Sequence, residues 1–294
     1  MESYTSSKRK EIKKRSMFAE SMGRLARNKM AMGGLALLAV VIVLCLLAPV
    51  ICPEGYDAQI IKNKMLKPGE NGYLLGTDNL GRSMLARILY GGRISLLVAV
   101  VATGIAAVIG IIFGATAAYF GGQVDNIIMR FIDILGAIPA LLLAIAIAAS
   151  LGASLFNCML AVGISAIPAF AKTVRGPVLA VMQSEYIEAA RSIDATDSRI
   201  IFKHVLPNVL SPIIVQVTSL LANSIILASA MSFLGLGVQA PVPEWGALIA
   251  SSRQYIRAYP YLVTIPGCCI AVVVLSMNLF GDGLRDALDP KLKD

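Results

Sequence analysis

The stretch EYIEAARSIDATDSRIIFKHVLPN, residues 185–208, carries Glu185, Glu188, Arg191, Asp194, Asp197, Arg199, Lys203 and the chain's only histidine, His204. Uncharged sequence lies on both sides, Leu135–Ala171 before it and Val209–Pro243 after it. Further out, three more runs carry no charge: Met30–Pro53, Ile94–Val124 and Ala258–Gly281. A bilayer span needs roughly 20 apolar residues, and all five runs are long enough. The run from Leu135 has room for two helices, with a break at SLGAS (150–154), where Gly152 and small residues permit a turn. The expectation is an all-α integral membrane protein with six transmembrane helices. The composition agrees: 57% of the 294 residues are hydrophobic and 15% are charged, against about a quarter charged in a soluble domain. Mean hydropathy is +0.74.

The first run follows a 29-residue leader, and Val50 and Ile51 before Cys52 are too large for a signal-cleavage site. It reads as a retained helix. In the leader, FAESMGRLARNKM (18–30) sets Phe18, Met22 and Leu25 at helical spacing. That pattern fits a helix lying along the inner membrane surface or a solvated tail.

The net charge is +8, yet its distribution speaks for a membrane and not for nucleic acid. With a cytoplasmic N-terminus, six spans leave eighteen of the 26 Lys/Arg on the cytoplasmic side. That asymmetry follows the positive-inside rule. Both termini and the 172–207 segment are then cytoplasmic, and 53–93 and 243–259 face outward. Asp133, three residues after Arg130, is expected to pair with it on one helix face.

The sequence holds no G-x-x-x-x-G-K-[ST] phosphate loop. One histidine and five scattered cysteines supply no metal-ligand spacing. The cysteines (45, 52, 158, 268 and 269) read as small apolar residues. No catalytic set can be assembled on one side of the membrane, so the chain is expected not to be an enzyme. A stand-alone channel or secondary transporter calls for charged groups deep in the spans, and the runs hold few.

The 172–207 segment is long for a loop in a compact protein, and such loops tend to be functional. Ser184 can cap a short helix whose first turns hold Glu185 and Glu188, where negative charge suits the helix dipole. Ala189 and Ala190 beside Glu188 offer a close-approach surface with one charged anchor, the form in which a helix sits in a partner's groove. A second helix is expected from Asp197 or Ser198 to Leu206, stopped by Pro207, with Pro212 in the first turns of the next span.

EAARSIDATDSRIIFKHVLP (188–207) resembles the EAA loop of bacterial ATP-binding-cassette importers, with Glu188, Ala189, Ala190 and, nineteen positions after the glutamate, Pro207. LLGTDNLGRSMLARILYGGRISL (74–96) and the blocks FLGLGVQAPVPEWGALI and FGDGLRDALDP within 233–290 are similar to the second permease subunit of the dipeptide/oligopeptide/nickel importers. The three blocks span nearly the whole chain.

This resemblance implies a type I importer transmembrane domain with a MetI-like fold. Residues 1–91 are then a tail, first helix and external segment; 92–283 the transport core; and 284–294 a cytoplasmic tail. It implies a homologous second permease as heterodimer partner, two cytoplasmic ATPases, an external solute-binding protein and a bacterial cell membrane. Glu188, Ala189, Ala190, Asp194, Leu206 and Pro207 would dock an ATPase. ATP and magnesium would belong to the ATPases, with no cofactor on this chain. The substrate would be a dipeptide or oligopeptide, or else nickel or a metal chelate. Where the family motif has glycine six residues after the glutamate, this chain has Asp194. Aspartate tolerates the positive φ that glycine serves there better than most residues.

Overall fold

A computed structural model of the chain describes residues 17–288, with side chains from residue 21. Lys8–Arg15, the Phe18 side chain, and residues 289–294 with Pro290, Lys291 and Lys293 lie outside the described residues.

The described residues form thirteen α-helices and no sheet. They run α1 (Met17–Arg27), α2 (Lys29–Leu46), α3 (Ala48–Ile51), α4 (Met84–Phe120), α5 (Gly122–Gly136), α6 (Ala140–Leu151), α7 (Leu155–Met182), α8 (Glu185–Ser192), α9 (Asp197–Ile200), α10 (Leu206–Asn208), α11 (Leu210–Phe233), α12 (Trp245–Ser252) and α13 (Tyr261–Leu288). Caps set several of the starts. Asn28 Oδ1 accepts from the Met30 and Ala31 N–H groups at 3.1 Å each and opens α2. Ser154 Oγ accepts from Asn157 N at 3.1 Å and opens α7. These side chains satisfy N–H groups that a helix start leaves without intrahelical partners.

Five helices, α2, α4, α7, α11 and α13, are each long and apolar enough to cross a membrane. The sixth expected span is not a straight helix. α5 and α6 together pass the same test but meet at 85°. α6 has 12 residues, about 18 Å at 1.5 Å per residue, short of the roughly 30 Å hydrocarbon core. Pro139 explains the corner, since a proline forces the residue before it away from helical geometry. The break expected at 150–154 is present, with Gly152 at φ 87° between α6 and α7. In the other direction, α4 has 37 residues, about 55 Å, and overruns the uncharged run at its N-terminal end.

α4 and α7 form the most extensive helix pair. Small residues allow it: a Cβ on Gly163 would lie 2.9 Å from Ile105 Cβ and 3.0 Å from the Ala102 carbonyl oxygen. Such close backbone approach is how helices associate where lipid is as apolar as the side chains. α11 and α13 pack beside this pair, and α2 lies along α13.

The bundle has two distinct ends. One is loop-rich, with residues 53–83, residues 234–244 and α12. Tyr261 ties the first loop down, its hydroxyl donating to the carbonyls of Leu66 (2.7 Å) and Thr77 (2.9 Å). Glu244 turns inward, 1% exposed, where it caps α12 through Ala247 N (2.9 Å) and accepts from Ser95 Oγ (2.9 Å). The other end is charged. There, Arg175 on α7 grips Asp125 on α5 with two bonds, one of 2.7 Å from Nε.

The expected Arg130–Asp133 pair does not form. Lys172 Nζ on α7 takes Asp133 at 2.7 Å, its four-carbon stem reaching across the α5–α7 contact, while Arg130 stays exposed. In the leader, α1 confirms the helical spacing. Leu25 is 4% exposed and packs with Ala31, Leu284 and Ala287, so this side chain faces the C-terminal turns of α13.

Candidate functional site

The charged segment folds back onto the spans. Ile187 and Ala190, one turn apart on α8, are 0% and 7% exposed, and Ile200 and Val205 are equally buried. All four join one apolar cluster with Phe170, Val174 and Val178 of α7, Ala118 and Tyr119 of α4, Ile132 of α5 and Ile213 of α11. The spacing is the i, i+3 rule of one helix face. The segment is therefore a rigid extension of four bundle helices.

Tyr119, in the last turn of α4, adds polar contacts. Its hydroxyl donates to Asp197 Oδ1 at 2.6 Å, and the Arg191 guanidinium lies 5.7 Å from the centre of its ring. One side chain thus bridges α8 and α9. The sequence drew no attention to Tyr119, because it sits 78 positions from its partner, at the end of an uncharged run.

Between α8 and α9 the chain turns at Asp194, with φ 55°. Asp194 N donates to the Arg191 carbonyl (3.0 Å), and Ala195 N donates to the Ala190 carbonyl (3.1 Å). Together these two bonds make a Schellman motif with Asp194 at its left-handed position. The Ala195 side chain completes it by packing on the cluster that holds Ala190. The positive φ expected for this position is present. Replacing Asp194 with glycine should leave the segment intact and relieve strain of about 1 kcal/mol; valine should cost that much or more, since a β-branched residue tolerates this conformation poorly. Hydrogen exchange of α8 amides in the two variants measures the difference. Faster exchange in the glycine variant than in the aspartate parent would refute the turn assignment.

The second helix starts at Asp197 as expected but is not regular. A five-residue π-helical stretch, Ile201–Val205, joins α9 to α10. Pro207 supplies the reason: it has no N–H for the carbonyl four residues back, and its ring would crowd that carbonyl in a regular α-helix. Ser184 holds the N-cap position of α8, but its side chain makes no cap bond; its backbone carbonyl accepts from Ile187 N at 2.9 Å.

The outward face differs from the two-alanine surface expected. Glu188 and Ala189 are exposed, whereas Ala190 faces inward. The reason is the 100° step of a helix: with Ile187 in the core, the residue three positions on follows it and the two between do not. Asp194 and Pro207 are exposed and Leu206 is half-buried. Apolar side chains that the sequence reading passed over complete the face: Tyr186, Ile193 at 79% exposed and Phe202 at 69%. Two large apolar groups this open beside one carboxylate suit contact with another protein.

Residues 106–294 match the family model described as the binding-protein-dependent transport system inner membrane component. Residues 16–68 match the N-terminal TM domain of oligopeptide transport permease C. The chain is 43% identical over 278 residues to the dipeptide transport system permease protein DppC of Alkalihalophilus pseudofirmus, covering 95% of this chain and 91% of that one. It is 42% identical over 274 residues to the di/tripeptide transport system permease protein DppC of Pseudomonas aeruginosa, covering 92% and 90%. It is 43% identical over 279 residues to the glutathione transport system permease protein GsiD of Escherichia coli O6:K15:H31, covering 95% and 92%. Among solved structures, an inward-facing MetNI methionine ABC transporter superposes with a TM-score of 0.57 at 20% identity, over 70% of this chain and 98% of that one. At that identity the likeness speaks for the fold.

Proposed function

The chain belongs to the family of binding-protein-dependent transport system inner membrane components, and from that premise we propose that it forms the pathway of a peptide importer together with a homologous permease. The peptide substrate class is supported by the dipeptide, di/tripeptide and glutathione permeases it resembles over more than nine-tenths of its length. In this reading two cytoplasmic ATPases bind the permease pair, each gripping one α8, and an external solute-binding protein delivers the peptide. ATP and magnesium act on the ATPases, and this chain carries no cofactor of its own.

The observation that carries the coupling role is the burial of Ile187 and Ala190 in the same cluster as α4, α5, α7 and α11. Force applied to the outward face of α8 reaches the spans through packed side chains, which resist compression. Rigid-body rocking of two such subunits would switch the pathway between its two openings. The test is uptake of labelled dialanine into proteoliposomes holding the assembled complex, with and without ATP. ATP-dependent uptake is expected; uptake by the permeases without their ATPases would mean a channel or secondary transporter.

The charged end is cytoplasmic in this reading, and both termini lie on that side. A thiol reagent that cannot cross the membrane should therefore label a cysteine placed at Lys62 in intact cells. One placed at Ser192 should react only after the membrane is opened. Both positions are exposed, and labelling is read above that of the parent, whose own Cys268 is exposed. The reverse pattern would invert the orientation and remove the coupling role with it.

A further inference from the structure

A recess at the loop-rich end is lined by three arginines. Its volume is about 370 Å³, at the small end of the range of ligand sites, roughly 300–1,000 Å³. Arg87, from the first turn of α4, forms its floor and is 5% exposed. One terminal nitrogen of Arg87, Nη1, donates to the carbonyls of Tyr56 (3.4 Å) and Pro241 (3.5 Å). Its Nε has no hydrogen-bond partner and lies 3.6 Å from Asp78 Oδ2. A buried guanidinium N–H left without an acceptor is uncommon, because burying a donor unsatisfied is costly.

The nearest acceptor, Asp78 Oδ2, is within ion-pair range but beyond hydrogen-bond reach of that nitrogen. Asp78 accepts from Arg82 Nε (2.7 Å) through Oδ2, and from the Leu80 and Arg82 backbone N–H groups through Oδ1. Arg82 also reaches Asp57 at 3.5 Å. Across the recess, Arg253 is exposed and its guanidinium lies 6.0 Å from the centre of the Phe233 ring. It has no ion-pair partner among the described residues. Asp57 and Asp78 thus pair with Arg82 and Arg87 only, so the three arginines of the recess carry one positive charge more than these two carboxylates. Phe233, Val238 and Ala250 supply apolar wall between them.

We propose that this recess binds the terminal carboxylate of a short peptide, with Arg253 and the floor guanidinium of Arg87 as its donors and the apolar wall taking a side chain. Substrate chemistry here rests on the peptide-import reading, and in that reading the recess faces the side from which the peptide arrives. Guanidinium is suited to the task because its fixed fork matches a carboxylate and stays charged. The mixture of one net charge with an apolar wall fits a peptide end better than a phosphate, which would leave the wall unused.

The full chain in lipid nanodiscs is titrated with N-acetyl-dialanine and with its C-terminal amide, and binding is read by saturation-transfer NMR. Saturable binding of the acid and none of the amide is expected. Arg253→Gln should weaken the acid on the order of tenfold, and Arg253→Lys should restore part of it. Because Arg253 is exposed, neither variant threatens the fold; Arg87→Met is a second arm, checked for retained α-helical content. Equal binding of acid and amide, or no loss in Arg253→Gln, overturns the site. So would an Arg253→Gln effect confined to association of the soluble solute-binding protein, which would place the carboxylate on that protein. ATP-driven uptake by the wild-type complex reports on the importer reading separately, so either can fail alone.

Discussion

Replacing Glu188 with lysine is expected to abolish peptide uptake while the chain still inserts and folds. Glu188 lies on the outward face of α8 and makes no ion pair among the described residues, so the bundle loses only a helix-dipole term of about 0.3–1 kcal/mol when it changes. The main loss falls on the docked ATPase. Truncating one partner of a desolvated charge pair costs about 2–5 kcal/mol, roughly 30-fold to several thousandfold in affinity, and reversal adds repulsion to that. Glu188→Gln keeps the shape and removes only the charge, so it should fall between. The measurement is ATPase co-purification and dialanine uptake at matched membrane levels. Normal uptake in the lysine variant would sink the docking role of α8.

Ile187→Asp should uncouple the same helix from the opposite side. Ile187 is wholly buried, and an unpaired carboxylate in that apolar cluster would cost several kcal/mol. α8 has eight residues, and it is too short to persist as a helix without packing. It should therefore leave the cluster while the spans hold. Trypsin sites at Arg191 and Arg199 should become cleavable, and ATPase co-purification should fall at least about tenfold, although Glu188 is intact. Ile193→Asp is the contrast. Ile193 is 79% exposed, so protease resistance should survive there while docking weakens. Unchanged proteolysis in Ile187→Asp would show that α8 is not held through this side chain.

These two neighbours separate what the chain discloses in one dimension from what it discloses in three. The sequence alone determined a helical membrane protein with a break near Gly152 and a charged segment outside the apolar phase. It did so because hydrophobic run length, charge clustering and glycine punctuation are local properties that a bilayer reads directly. The helix stop expected at Pro207 is absent, since Pro207 lies within α10. The left-handed turn at Asp194 was implied only by the resemblance, whose motif has glycine at that position, and the structure has it at φ 55°.

Only the tertiary structure decided which way each residue of the charged segment faces. Ala189 and Ala190 are identical in sequence terms, but the position of Ile187 in the cluster turns one outward and the other inward. It likewise decided the partners. Asp133 had Arg130 one turn away, yet Lys172 of α7 takes it at 2.7 Å; Asp197 is bound by Tyr119, 78 positions earlier. Helix packing sets such distances, and no spacing along the chain encodes them. The same holds for the sixth span, whose run length gave a span but not its shape. Pro139 and the ion pairs that fasten α5 to α7 give a corner of 85°. The arginine recess is the furthest case: Arg87 on α4 and Arg253, in the 3-10 turn (Arg253–Tyr255) that follows α12, are 166 positions apart, and their common pocket exists only once α4 and α12 are packed together.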